Sequence, residues 1–153
     1  MNIALASPAL PEAVALIAEL DAYQLTLYPP ENVFSTDLAA LPADAVLFAL
    51  ARDADGAAVA CAALVLTPAY GELKRMYVRP GQRGQGLARQ LIALLEAQAL
   101  LRGCRLLALE TGPLQPEAIA LYTRLGYRVT GPYGDYAEDP LSVFMQKDLA
   151  RDQ

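Results

Sequence analysis

The 153-residue chain has no histidine, no tryptophan and only two cysteines. Without histidine, Ser-His-Asp and Cys-His catalysis and histidine-ligated metal centres are excluded. Cys61 and Cys104 are too few and too widely spaced for a zinc site, and two thiols make no disulfide framework. They read as small apolar core residues of a reducing compartment, and no metal is expected. Positive charge is also in the minority. Twelve Lys and Arg stand against 17 Asp and Glu, a formal net charge of -5. Long-range attraction to nucleic acid or to an anionic membrane therefore has the wrong sign, and neither partner is expected. Any anionic ligand must be held by a local basic or backbone-amide site. Long apolar runs are missing as well. The longest uncharged stretch, residues 56–71, includes Gly, Thr, Pro and Tyr and is short for a membrane span. The start, Met1-Asn2-Ile3-Ala4-Leu5, lacks a positively charged n-region and soon meets Pro8 and Pro11, so a cytoplasmic location is expected.

Hydrophobic residues make up 55% and charged residues 19%, the balance of a folded domain rather than a disordered chain. Glycine and proline are spread as punctuation, with no repeat or linker, which reads as one domain over residues 1–153. Residues 2–6 suit a short strand, and residues 12–27 carry Val14, Leu16, Ile17, Leu20 and Tyr23 near helical spacing. Tyr28-Pro29-Pro30 stops that helix. Residues 35–41 suit a second, short helix capped by Ser35. Residues 46–50 and 58–66 form a hairpin about the turn Asp53-Ala54-Asp55-Gly56, and residues 73–78 add a third strand. A long helix over residues 87–102 follows, ended by Gly103. Residues 105–110 suit a buried strand, 116–125 a helix, and 127–130 and 142–147 two more strands. Hairpins first, then alternating strand and helix, give an α/β fold with a mixed, mostly antiparallel central sheet flanked by helices.

The most informative segment joins a strand to the long helix: Arg79-Pro80-Gly81-Gln82-Arg83-Gly84-Gln85-Gly86-Leu87-Ala88. Its three glycines let the backbone turn tightly and aim successive N–H groups at one point. The helix start adds free N–H groups and the positive end of its dipole, worth roughly 0.3–2 kcal/mol to an anion. Arg79, Arg83 and Arg89 add full charge. Together they make a phosphate cradle on an acidic protein. The Lys-Ser/Thr ending of a P-loop is missing, and the glycine order is not that of a dinucleotide fingerprint.

Arg83-Gly84-Gln85-Gly86-Leu87-Ala88 resembles the R/Q-x-x-G-x-G/A motif of the GNAT N-acetyltransferases. Glu72-Leu73-Lys74-Arg75-Met76-Tyr77-Val78 is similar to the strand before that motif. Ala118-Ile119-Ala120-Leu121-Tyr122-Thr123-Arg124-Leu125-Gly126-Tyr127 is similar to the family's last helix and strand. The tail from Asp135 to Met145 is more narrowly similar to the YsnE-like acetyltransferases. The resemblance implies acetyl-CoA as co-substrate, with its pyrophosphate on the amides of Arg83, Gly84, Gln85, Gly86, Leu87 and Ala88 and with Arg89 beside it. It also implies that the strand ending Met76-Tyr77-Val78 splays from the strand Leu107-Ala108-Leu109-Glu110 to admit the pantetheine arm. Where the family often has an asparagine at the last helix, this chain has Gln115 before Pro116, and Gln115 takes that place.

Acetyl transfer to an amine requires the ammonium to lose a proton and the leaving thiolate to gain one. Tyr122 is the acid candidate. Its phenol, with an ordinary pKa of about 10, stays protonated at neutral pH, and in similar enzymes the tyrosine of this motif sits by the cofactor sulfur. Read by spacing alone it is a core aromatic on an amphipathic helix, with Ile119, Leu121 and Leu125 as apolar neighbours; the family motif favours the acid. Glu72 falls where some similar enzymes carry the base, and Glu110 is its rival; either also reads as an ion-pair partner on a strand. For the acceptor, Tyr28 and Glu31 in the loop after the first helix, Glu110, and Tyr136 near the C-terminus suit a cationic amine. Tyr133, Glu138 and Asp139 lie close by. The expected activity is transfer of an acetyl group to a primary amine of a small molecule or peptide. A non-catalytic acyl-CoA sensor on the same fold competes with it, and a homodimer is compatible with both.

Overall fold

Strands whose two faces are both covered read as continuous apolar runs, and residues 46–66 carry two of them. The computed structural model describes residues 1–34 and 37–150. Its elements run β1 (Asn2–Leu5), α1 (Pro11–Leu27), β2 (Val46–Arg52), β3 (Ala58–Leu66), β4 (Gly71–Val78), α2 (Leu87–Leu101), β5 (Leu106–Thr111), α3 (Pro116–Arg124), β6 (Arg128–Thr130) and β7 (Val143–Asp148). One seven-stranded sheet has the order β1-β2-β3-β4-β5-β7-β6. Only β4 and β5 pair in parallel, so the sheet is mixed and mostly antiparallel, as expected. No helix among the described residues is long and apolar enough to cross a membrane.

Helix α1 covers one face, with Ala13, Leu16 and Leu20 packed on Phe48, Leu50, Cys61 and Ala63. Helix α2 covers the other, with Leu91, Ile92, Leu95 and Ala99 packed on Ala49, Leu64, Leu73, Leu107 and Leu109. Burying each such leucine contributes about 1.5–3 kcal/mol. The small residues of β3, Ala58 to Ala63, let both helices approach the sheet closely. Cys61 is buried and its thiol is pushed up to about 12 by desolvation, so it is inert packing.

Two sequence expectations change. Only a 3-10 turn, Leu38–Ala40, forms where a short helix was expected, with the Asp37 carboxylate accepting from the Ala39 N–H. Pro42 keeps Leu41 out of the helical region, at φ -85° and ψ 155°. The expected Ser35 cap lies outside the described residues. Strand β4 begins at Gly71, earlier than expected, because that glycine lies under β5: a Cβ there would come 2.9 Å from Leu107 Cδ2.

Two irregularities in β4 build the site. Its pairing with β5 covers only Gly71↔Leu107 to Leu73↔Leu109, after which the strands diverge. Against β3, Cys61 faces Tyr77 while Ala63 faces Lys74, so β4 holds one extra residue there. Arg75 is at the bulge with φ 58°, a left-handed conformation costing roughly 1–3 kcal/mol in a residue other than glycine. Its guanidinium is buried and ion-paired with Asp21 of α1, which holds the bulge in place. The bulge reverses the alternation of side chains. Leu73, Met76 and Val78 consequently face α2, while Tyr77 faces α1.

Candidate active site

On the α2 side, the diverging strands open into a groove of about 520 Å³. Met76, Val78, Arg83, Gly84, Gly86, Ala88, Arg89 and Gln115 line it, together with Arg124 of α3. Gly84 and Gly86 hold φ 82° and 77°, which side-chain-bearing residues rarely adopt. Gly86 is also the residue capping α2, and no side chain caps that helix, so its first N–H groups are left for a ligand. Arg83 Nε donates to Val78 O at 2.9 Å and braces the loop against the strand. Free amides with Arg83, Arg89 and Arg124 around them form a donor set suited to a diphosphate.

Two residues expected at the cofactor, Tyr77 and Gln85, contribute differently. Tyr77 turns its side chain to α1 and donates to Glu19 Oε1 at 3.2 Å, because of the bulge. The Gln85 side chain is exposed and pairs with Gln82 at 3.3 Å. Leu87, the first residue of α2, lines the groove as expected while also packing into the core. Arg124 was missed in the sequence, although it lies inside the quoted motif, two residues after Tyr122.

A second cavity, of about 130 Å³, opens on the α1 side of the same cleft. It shares Met76, Gln115, Ala118 and Leu121 with the groove, so the two meet between the splayed strands. Tyr122 lines this cavity with 7% of its surface exposed. Its hydroxyl has no hydrogen-bond partner among the described residues, its ring meets Tyr127 edge-on at 5.9 Å, and burial pushes its pKa up. Tyr127 is fixed in turn by donating to Glu96 Oε2 at 2.8 Å, and Glu96 also pairs with Lys147.

Glu72 and Glu110 both line the second cavity. One oxygen of Glu72 accepts from Tyr133 Oη at 2.9 Å and from Tyr136 Oη at 2.6 Å, and Lys74 Nζ lies 3.6 Å away. Glu110 is different. Desolvation raises its carboxyl to about 7, outweighing the opposing pulls of Ser142 and Lys74. Ser142 Oγ is buried near it but satisfies no hydrogen-bond geometry.

The remaining walls come from the segment after α1 and the loop between β6 and β7. Tyr28 is buried and lines the cavity, and its Oη accepts the Leu114 N–H at 3.2 Å. Tyr136 lines it as well, edge-on to Phe34 with ring centroids 5.1 Å apart. Glu31 is a correction. It is exposed and does not line the cavity, whereas Asn32 does, and Asn32 Nδ2 donates to Asp139 Oδ2 at 3.0 Å. Glu138 is also exposed. Asn32 belongs to the expected acceptor segment of residues 28–32, whereas Gln24 and Phe34 were missed because their contribution depends on how α1 and the chain after it close over the cleft. Among the described residues, no group of acidic or cysteine side chains is arranged to hold a metal ion.

A splayed β4–β5 pair, a bulged β4 and an uncapped helix N-terminus beside it define the acyl-CoA N-acyltransferase fold. A solved structure of an acyl-CoA N-acyltransferase from Klebsiella pneumoniae superposes with a TM-score of 0.88, covers 97% of both chains and is 46% identical. The family profile described as acetyltransferase (GNAT) family matches residues 14–127, and the chain belongs to that family. It is a GNAT-type N-acetyltransferase. A relative named "IAA acetyltransferase", from Azospirillum brasilense, is 42% identical over 97% of this chain and 98% of its own length. The N-acetyltransferase YsnE of Bacillus subtilis is 32% identical over 90% of this chain and 93% of its own. Acetyl-CoA is the acyl donor of the class, and solved structures sharing the fold hold coenzyme A or acetyl-CoA.

Proposed function

We propose that the protein acetylates a primary amine, with acetyl-CoA in the α2-side groove and the amine in the α1-side cavity. The observation that carries this reading is the meeting of the two cavities between the splayed strands at Met76, Gln115, Ala118 and Leu121, with Glu110 and Tyr122 lining the α1-side cavity. The amides of residues 83–88 hold the pyrophosphate, with Arg83, Arg89 and Arg124 beside them, and Gln115 lies where groove and cavity join. When bound, acetyl-CoA supplies a thioester carbonyl as electrophile and a thiolate as leaving group.

Glu110 takes a proton from the ammonium. A base is most effective with a pKa near the working pH, and Glu110 stands at about 7. Glu72 suits the role less well, because two phenols and Lys74 already compensate its charge. It stabilises an ammonium in the cavity. Tyr122 holds a proton at Oη for the departing sulfur. In the exchange one N–C bond forms and one S–C bond breaks. The ammonium loses two protons, one replaced on sulfur through Tyr122 and one passed to solvent through Glu110. Holding the reactants in line supplies roughly 7–11 kcal/mol of the barrier reduction.

Acetyl-CoA at about 100 times its dissociation constant stabilises a protein by roughly 2.7 kcal/mol. A matching rise in melting temperature is expected, and Gly86→Glu removes most of it by putting a side chain and a negative charge into the cradle. The companion measurement is thiol release with a panel of amines and, separately, with IAA because of the Azospirillum relative's name. An unchanged melting shift in folded Gly86→Glu defeats the cofactor assignment. Binding without thiol release from any amine favours a sensor.

A further inference from the structure

We propose that the acceptor is a low-molecular-weight primary amine carrying one compact flat apolar group, about the size of a six-membered ring, and that a lysine side chain within a polypeptide is excluded. This rests on the functional reading above and adds the chemical class of the acceptor.

The first ground is closure. The segment after α1 is fastened over the cavity at three points that belong to two other loops. Tyr28 Oη accepts from Leu114 N–H at 3.2 Å, crossing the β5–α3 turn so closely that a Cβ on Gly112 would lie 1.8 Å from it. Asn32 holds Asp139 at 3.0 Å, and the Phe34 ring meets Tyr136 edge-on at 5.1 Å. A peptide that docks by strand addition needs an open edge with free backbone partners beside its pocket, and this rim is fastened shut on both flanks. The second ground is size. The cavity holds about 130 Å³, and an engineered protein cavity of about 150 Å³ takes up one benzene molecule.

The third ground is the order of chemistry across the cavity. Glu110 lines the cavity just where β5 leaves β4, so the amino group belongs there. Phe34 and Tyr136 come from loops at the outer wall and offer two ring surfaces set at 87° to one another. A ligand with an ammonium at one end and a flat apolar group at the other satisfies both ends at once. A purely aliphatic short amine leaves the ring corner unfilled.

The test is calorimetric titration of the CoA-saturated protein with benzylamine, n-propylamine and N-acetyl-Gly-Lys-Gly-amide, followed by thiol release with acetyl-CoA and the same compounds. Benzylamine is expected to bind about tenfold or more tightly than the other two, a difference of about 1.4 kcal/mol, and to have the largest kcat/KM. Phe34→Ala should cost benzylamine about tenfold and propylamine less than about twofold, since only the former loses a ring contact. Peptide binding equal to that of benzylamine, or equal losses for both amines in Phe34→Ala, overturns the proposal. So does CoA binding with no benzylamine binding. Failure of CoA itself to bind strikes the functional reading instead, and the melting shift with acetyl-CoA tells the two failures apart.

Discussion

The groove on the α2 side and the cavity on the α1 side are built from different materials. The groove is mostly backbone and neighbouring residues: one run from Met76 to Arg89 supplies its floor, its turn and most of its charge. The cavity is made of side chains from α1, the turn at Pro30–Asn32, β4, β5, α3 and the β6–β7 loop. Amides at a helix start bind phosphate with only glycine and a helix to present them, so that site depends little on distant folding. The cavity exists only once six segments have met. Its carboxylates also behave differently from one another, although both line the same space: Glu72 is compensated by Tyr133, Tyr136 and Lys74, and Glu110 is desolvated.

Variants can separate the two regions, and the largest effect falls on the cavity. Glu110→Gln keeps the shape but cannot take a proton, so kcat/KM should fall by about 10²–10⁴ at pH 7 while the acetyl-CoA melting shift survives. In the wild type kcat/KM should climb as pH rises through about 7, where the carboxyl ionises, and the variant should lack that limb. Glu72→Gln is the contrast and should lose less than about tenfold. A reversed order of the two losses returns the base to Glu72. Tyr122→Phe should follow with a loss of about 10² in turnover and unchanged cofactor binding. Because the Tyr122 hydroxyl has no protein partner to abandon, its removal should leave the melting temperature nearly unchanged. Intact turnover in folded Tyr122→Phe would make this tyrosine a packing residue.

The same contrast explains what could be read from the residues in order. The long helix, the hairpins and the glycine turn follow from period, breakers and a contiguous motif, and each is found within a residue or two of where the spacing puts it. The bulge could not be read that way. A positive φ is signalled by glycine or asparagine, and here it falls on Arg75, held by Asp21 from a helix 54 residues away. Because the bulge shifts alternation, Tyr77, which the family resemblance places at the cofactor with Met76 and Val78, has its ring under α1. Glu72 carried no trace of Tyr133 and Tyr136, which lie 61 and 64 residues further on. Glu31 missed the cavity by one position, since a single step in a 3-10 turn decides whether a side chain points in or out.

The smallest effects are on stability, and their signs oppose one another. Glu110 is raised from 4.5 to about 7 by burial, so the folded state holds a proton that the unfolded state releases between those values. Stability is therefore lost as pH rises across that window, by at most about 3 kcal/mol. Glu110→Gln should melt higher than wild type at pH 8 and show little difference at pH 4. Glu19 has the opposite sign. Its carboxyl accepts from both Nε and Nη2 of Arg79, which pulls its pKa down and ties α1, the roof of the cavity, to the residue that opens the cofactor loop. That stability is present above the ordinary carboxyl value and is lost as pH falls through the lowered one. Both side chains are 38% exposed, so solvent screening limits the pair to about 0.2–1 kcal/mol. Glu19→Gln should cost that much at pH 7, less in high salt, and nothing once the wild-type carboxyl is protonated. A larger loss, accompanied by weaker acetyl-CoA binding, would mean that the two regions are joined at this ion pair rather than built independently.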